Sequence, residues 1–433
     1  MYRKILALTI VALVTFSCNS LKPSGSVKND PPDAPSNPYP ADGAVNQEIS
    51  LNMTWGWNDV DGDSLTFNIY FGTDANPPLI ESNRRGSSFA PESLQYDHTY
   101  YWKVVADDGH GHQTGSPIWQ FSTRALRSFD LLGQYTDASQ GPFFDISGNI
   151  QSSYLYVTNR HSSGTRDSSL ILDISNLNNI SVTGYIRGAL FGNQFGQGYL
   201  YSVGRRDSGF KLRAYSLGDP TNPNEEFRFD VSNIQDLAVE NGYVYLYMNR
   251  FNVGQQNGVI TVHDMAIVDT VITQPGPNWG RLRVFGNLLL LAEIEALEIL
   301  NINNPDAPQI VTMAPTPGQC RDATISGTTI YIALHNMGIA IADISALPNT
   351  VPIGLIASVN QSTDLLLASQ SILYVADYNL LIAYDITSPY SLYELARYQA
   401  PARITSLSFL QSLIITYTDS ASTSGIQVIQ IQP

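Results

Sequence analysis

An all-β fold is predicted for this chain of 433 residues, and three observations carry the prediction. Glycine (32), proline (24) and tyrosine (24) are abundant, the mix that many short strands and turns require. Apolar residues alternate with polar ones over short runs, as strands with one buried face demand. From Ser128 to the end, one pattern of apolar strand, polar turn and second apolar strand recurs about seven times. Its clearest copies are Ile330-Tyr-Ile-Ala-Leu-His-Asn-Met-Gly-Ile-Ala-Ile-Ala-Asp-Ile-Ser345 and Leu373-Tyr-Val-Ala-Asp-Tyr-Asn-Leu-Leu-Ile-Ala-Tyr-Asp-Ile-Thr387. With the closing polar residue as anchor, the copies fall at Asp173, Ser216, Asp264, Asn301, Asp343, Asp385 and Gln430, in steps of 43, 48, 37, 42, 42 and 45. A β period in the forties is that of a propeller blade, because one four-stranded sheet cannot bury both faces alone.

The chain opens on a targeting segment, 1–18. Arg3 and Lys4 precede the apolar run Ile5 to Val14, too short for the roughly 20 residues of a bilayer span. Thr15-Phe-Ser-Cys18 then resembles a bacterial lipobox, with Thr15 where leucine is usual. That resemblance implies lipidation of Cys18 and anchoring in a bacterial cell envelope, at the outer membrane or cell surface. An ordinary secretory signal cut nearby is the alternative. Residues 19–36 are polar and carry Pro31, Pro32 and Pro35, so they read as a disordered, semi-rigid tether.

Residues 37–124 carry the pattern of a β-sandwich. Leu51, Met53, Trp55 and Trp57 alternate with polar or small residues, as do Leu65-Thr-Phe-Asn-Ile-Tyr-Phe71 and Tyr100-Tyr-Trp-Lys-Val-Val-Ala106. Leu94-Gln-Tyr-Asp-His-Thr-Tyr100 resembles a tyrosine corner, with Tyr100 as its tyrosine. Together with Asp59-Val-Asp-Gly-Asp-Ser-Leu-Thr66 and the ending Phe121-Ser-Thr123, the segment resembles bacterial fibronectin type III-like modules. For function this implies a spacer or adhesion module.

After a short joint at 124–127, residues 128–433 form the repeats. First strands end at turns such as Glu240-Asn-Gly242 and Ser326-Gly327, and second strands read Tyr154-Leu-Tyr-Val157 or Tyr243-Val-Tyr-Leu246. Leu170-Ile-Leu-Asp-Ile-Ser175 and Ile339-Ala-Ile-Ala-Asp-Ile-Ser345 resemble the LVIVD repeat of bacterial surface proteins, although copies two, four and seven depart from the aspartate. The seventh copy stops after its third strand, whereas Phe129-Asp-Leu-Leu-Gly-Gln-Tyr135 precedes the first copy unattached. Lending that strand to the last copy closes the ring and removes an exposed edge. The reading is therefore a fibronectin type III-like sandwich followed by a seven-bladed β-propeller.

A net charge of −15 argues against nucleic acid, which demands a basic surface. Only Cys18 and Cys320 are present, so no disulfide framework is expected, and Cys320 reads as a small, partly buried residue. Three carboxylates in Asp59-Val-Asp-Gly-Asp63 suggest a weak calcium site at Asp59, Asp61 and Asp63, against a solvated Asp-Gly turn. Asp107-Asp-Gly-His-Gly-His112 is more simply a loop than a metal site. Arg160, Arg205, Arg206 and Arg250 recur at the ends of second strands, and Arg281, Arg321 and Arg403 stand at the starts of first strands beside Asp236, Asp322 and Asp364. Arginine forks suit carboxylate, sulfate or phosphate. The four second-strand arginines are the candidate ligand-binding residues, against the simpler reading of surface arginines paired with nearby aspartates. No hydrolase, P-loop or haem-attachment motif is found. The expectation is a non-catalytic, lipid-anchored binding protein whose partner is an envelope protein, a matrix component or an anionic glycan. No cofactor is required beyond possible calcium. A carbohydrate-active hydrolase or lyase with carboxylates at the ring mouth is the alternative.

Overall fold

The computed structural model describes residues 28–432, apart from 92–93, 138–141, 150–152, 160–167, 189–191, 207–208, 232, 249–256, 265, 274–279, 350, 357–361, 390–391 and 419–422. Cys18 lies outside the described residues. Two compact units emerge, Met1–Ala125 and Leu126–Pro433. The described residues contain strands and a single 3-10 turn at Leu177–Asn179, and no helix long and apolar enough to cross a membrane.

In the first unit, strands Ser36–Tyr39, Met53–Gly56 and Ser88–Phe89 form one sheet. The second runs Ala44–Gln47, Trp119–Thr123, Thr99–Asp107, Thr66–Gly72 and Leu79–Arg84, with Gln113–Gly115 also on Thr99–Asp107. The expected alternation holds along Thr99–Asp107, which buries Tyr100, Trp102, Val104 and Ala106 against Met53, Trp55, Phe67 and Phe121. Each such large side chain stabilises by about 1.5–3 kcal/mol. Trp57 breaks the pattern at 50% exposed, because its strand ends at Gly56 and the period no longer binds it. The Tyr100 hydroxyl accepts the Gln95 N–H at 2.9 Å, the bond a tyrosine corner makes. Part of the proline-rich stretch is tied down. Asp33 N–H donates to the Asn58 carbonyl at 3.0 Å, and Asn29 and Asp30 also bond to loops of this unit.

The second unit contains seven four-stranded antiparallel sheets among the described residues. In six of them the strands follow chain order, starting at Phe143–Asn149, Gly192–Gly196, Ile234–Glu240, Gly280–Phe285, Gln319–Ser326 and Thr363–Ser369. These are numbered one to six here. Sheet seven joins Arg403–Phe409, Leu413–Thr418 and Ser424–Ile431 to Phe129–Asp137 from the start of the unit. Phe129 faces Ile431 and Asp137 faces Ser424, so the two ends of the unit share one ladder. First strands pack on first strands from sheet to sheet, and that of sheet seven packs on that of sheet one.

Second and third strands are buried on both faces, as in Leu288–Glu293 and Leu380–Asp385, because neighbouring sheets cover both sides. Fourth strands such as Gln309–Pro315 are largely exposed. Asn241 (φ +50°) and Gly242 (φ +84°) supply the two left-handed residues of a tight hairpin between sheet-three strands.

The repeat anchors have a mechanical explanation. Asp173, Asn301, Asp343 and Asp385 each end a third strand, and each Oδ1 accepts the N–H two residues on at 2.8 Å. Asn301 thus does the aspartate's work. Asp264 does not, although its residue type matches. It lies past the end of Gly258–His263 with φ +48°, in a short hairpin that leads straight into Ala266–Ile272.

Candidate anion-binding site

The first strands of sheets five, six and seven each carry a bulge near their start. The register slips between Cys320 and Asp322, between Thr363 and Leu365, and between Ile404 and Ser406, leaving Arg321, Asp364 and Thr405 as the extra residues. A bulge bends the strand and re-aims the side chain at that point. In sheets five, six and seven all three bulge residues line one cavity of about 400 Å³, together with Arg281 and Arg403. Pro142, Leu365, Ile404 and Thr418 complete its wall.

Three arginines therefore share one cavity with a single aspartate in a protein of net charge −15. Each arginine has a polar side-chain neighbour. Arg281 Nη1 lies 3.6 Å from Asp322 Oδ2, Arg321 Nη2 donates to Gln319 Oε1 at 2.9 Å, and Arg403 Nη2 donates to Asp364 Oδ2 at 2.7 Å. Asp364 also accepts from Ser362 Oγ at 3.0 Å, and His335 Nδ1 lies 2.9 Å from its Oδ1.

The deepest support is Asp322, which is fully buried. Arg283 grips it with two bonds of 3.1 Å, while the N–H groups of Ala323 and Leu366 donate to its two oxygens at 3.1 and 3.2 Å. Leu366 belongs to the next sheet, so Asp322 bolts sheet five to sheet six. Asp236 of sheet three repeats the device two sheets earlier, taking Leu237 N–H at 2.9 Å and Leu282 N–H of sheet four at 2.8 Å. A buried carboxylate is tolerable because charges and amides surround it.

Of the four second-strand arginines, Arg160 and Arg250 lie outside the described residues. Arg205 and Arg206 fall within strand Tyr199–Arg206, opposite Phe210 and Gly209, rather than in a turn after it. The arginines brought together are Arg281, Arg321 and Arg403 from the first-strand starts.

The reading missed His335 and Thr418. Both end second strands, as do Glu293 and Asp377, so a polar residue at that position was the available signal. Glu293 lies off the cavity lining, in a closed network where Tyr247 Oη donates to it at 2.6 Å and Asn257 bonds to Tyr247 at 2.9 Å. Burial pushes the Glu293 carboxyl up, against the pull of bonds from Tyr247, Asn257 and Thr273. Cys320 is completely rather than partly buried, and burial with nearby Asp322 pushes its thiol well above the usual range. That suits packing, not nucleophilic chemistry.

No family model matches the chain, and no curated protein matches it. Solved structures do. The WD40 β-propeller domain of Doa1 aligns with a TM-score of 0.51 at 10% identity, covering 70% of this chain and 97% of that one. The WD40 domain of Neurospora crassa Pan2 aligns at 0.48 and 11% identity, over 70% and 96% of the two chains. At such identity the Doa1 likeness is one of fold, and the fold is a β-propeller.

Proposed function

We propose that this protein is a non-catalytic recognition protein whose seven-bladed propeller holds an anionic group of its partner between Arg281, Arg321 and Arg403. Convergence of those three side chains on one cavity is the observation behind the reading. Guanidinium forks fit carboxylate, sulfate or phosphate oxygens, and a guanidinium already held by a neighbour loses less freedom on binding. The partner is an envelope protein, a matrix component or an acidic glycan. In this reading Cys18 carries the lipid anchor in a bacterial envelope, the N-terminal unit is a fibronectin type III-like spacer, and the sheets are LVIVD-type blades. A propeller as interaction scaffold accords with the geometry. A glycan hydrolase or lyase wants two facing carboxylates, and among the described residues the cavity lining carries Asp364 alone.

The test is binding of the full chain to acidic and neutral glycans and to envelope extract. Arg281→Ala/Arg321→Ala/Arg403→Ala is compared with a variant altered at Arg160, Arg205, Arg206 and Arg250. Salt-sensitive binding lost at least tenfold in the first variant and kept in the second supports the cavity. The opposite pattern moves the site to the second-strand arginines. Ligand cleaved over time overturns the non-catalytic reading in favour of the hydrolase or lyase.

A further inference from the structure

We infer that the N-terminal unit binds a calcium ion in the Asp59–Asp63 loop, a site separate from the arginine cavity. The loop turns at Gly62 (φ +80°), a conformation that favours glycine. One carboxylate oxygen each from Asp59, Asp61 and Asp63 lies within 4.8 Å of the others. Three negative charges at that spacing repel one another.

Clustering alone would not make a site. The second observation is the state of Asp59, which is only 8% exposed. Its Oδ1 holds the loop together, accepting the N–H groups of Asp61 and Asp63 at 3.0 Å each. Its Oδ2 is shut away from water and has no hydrogen-bond partner, and the same holds for Asp63 Oδ2. A buried charged acceptor left this way bears its whole desolvation cost.

The same unit shows how a buried aspartate is satisfied when nothing is missing. Asp108 is 3% exposed. Its Oδ1 takes the N–H groups of His110 and His112 at 2.7 and 3.1 Å, and its Oδ2 takes Asn29 Nδ2 at 2.6 Å and faces His112 Nδ1 at 3.0 Å. Around the Asp59 loop the protein supplies far less. Asp30 N–H donates to Asp61 Oδ2 at 2.7 Å, and His110 Nε2 stands 3.8 Å from Asp63 Oδ1. A cation seated on the carboxylates satisfies the orphaned oxygens and removes the repulsion together. An all-oxygen donor set selects a hard cation, and calcium accepts the irregular geometry of a loop more readily than magnesium does. Backbone carbonyls and water would complete its six to eight ligands.

The experiment is calorimetric titration of the full chain, stripped with a chelator, using CaCl2 and in parallel MgCl2 up to about 5 mM, several times the roughly 1 mM dissociation constant of the weakest extracellular calcium modules. Thermal unfolding is followed at each calcium concentration. One saturable calcium event per chain and a calcium-dependent rise in the unfolding midpoint are expected. Asp61→Asn and Asp63→Asn should each weaken binding at least tenfold. Asp59→Asn should abolish it, and the other two variants decide the matter if Asp59→Asn misfolds. Absence of both heat and midpoint shift, or wild-type affinity in Asp61→Asn and Asp63→Asn, overturns the site. Neither result bears on the arginine cavity, which the glycan experiment tests alone.

Discussion

Two buried aspartates in this protein are held in opposite ways. Asp322 receives two guanidiniums and two amides, so both of its oxygens are occupied. Asp59 receives two amides on one oxygen and nothing on the other. Burial is similar, and the neighbours differ. A carboxylate with its counter-charges built in serves as a structural bolt that also holds Arg281. A carboxylate lacking them is suited to meet a cation from outside. Acidic residues in this chain take their role from what faces them, not from their own depth.

The largest loss is expected from Asp322→Ala. It leaves Arg283 and Arg281 without their shared carboxylate and the Leu366 N–H without its acceptor. Denaturant unfolding should show a loss of about 3–5 kcal/mol, with or without calcium. A loss under 1 kcal/mol would mean the bolt is ornamental. Asp236→Ala removes the amide bonds that tie sheet three to sheet four, and about 1–3 kcal/mol should go.

Glu293 sharpens the contrast in another direction. Its carboxyl is raised above its ordinary value by burial. The folded state therefore holds the proton more tightly than the unfolded chain does. The stability this contributes is complete below the ordinary glutamate range and is lost as pH rises through the raised value. Glu293→Gln should flatten that loss, so its unfolding midpoint gains on the wild type with rising pH and the gap closes in acid. A pH-independent gap would show that hydrogen bonding to Tyr247, not charge, governs this network. The smallest effect belongs to Asp385→Ala, which removes the turn bond to Thr387 N–H and Thr387 Oγ1 at an exposed strand end. About 0.5–1.5 kcal/mol should be lost in urea unfolding.

The sequence by itself determined the local elements, since strand periodicity is a property of neighbouring residues. The apolar runs at 288–291, 330–332 and 373–375 mark strands covered on both faces, and Phe129 to Tyr135 is legible as the strand missing from the last copy. The anchors were legible because an Asx turn spans only two residues. The limit shows at Asp264, where the same residue type sits in a different turn. Tertiary structure alone decided which charges meet. Arg281, Arg321 and Arg403 lie far apart in the chain and converge only because first strands pack side by side and two-against-one bulges turn Arg321, Asp364 and Thr405 into one cavity. Likewise, three aspartates are visible in any reading of 59–63, but the orphaned oxygen of Asp59 exists only once packing has excluded water from it.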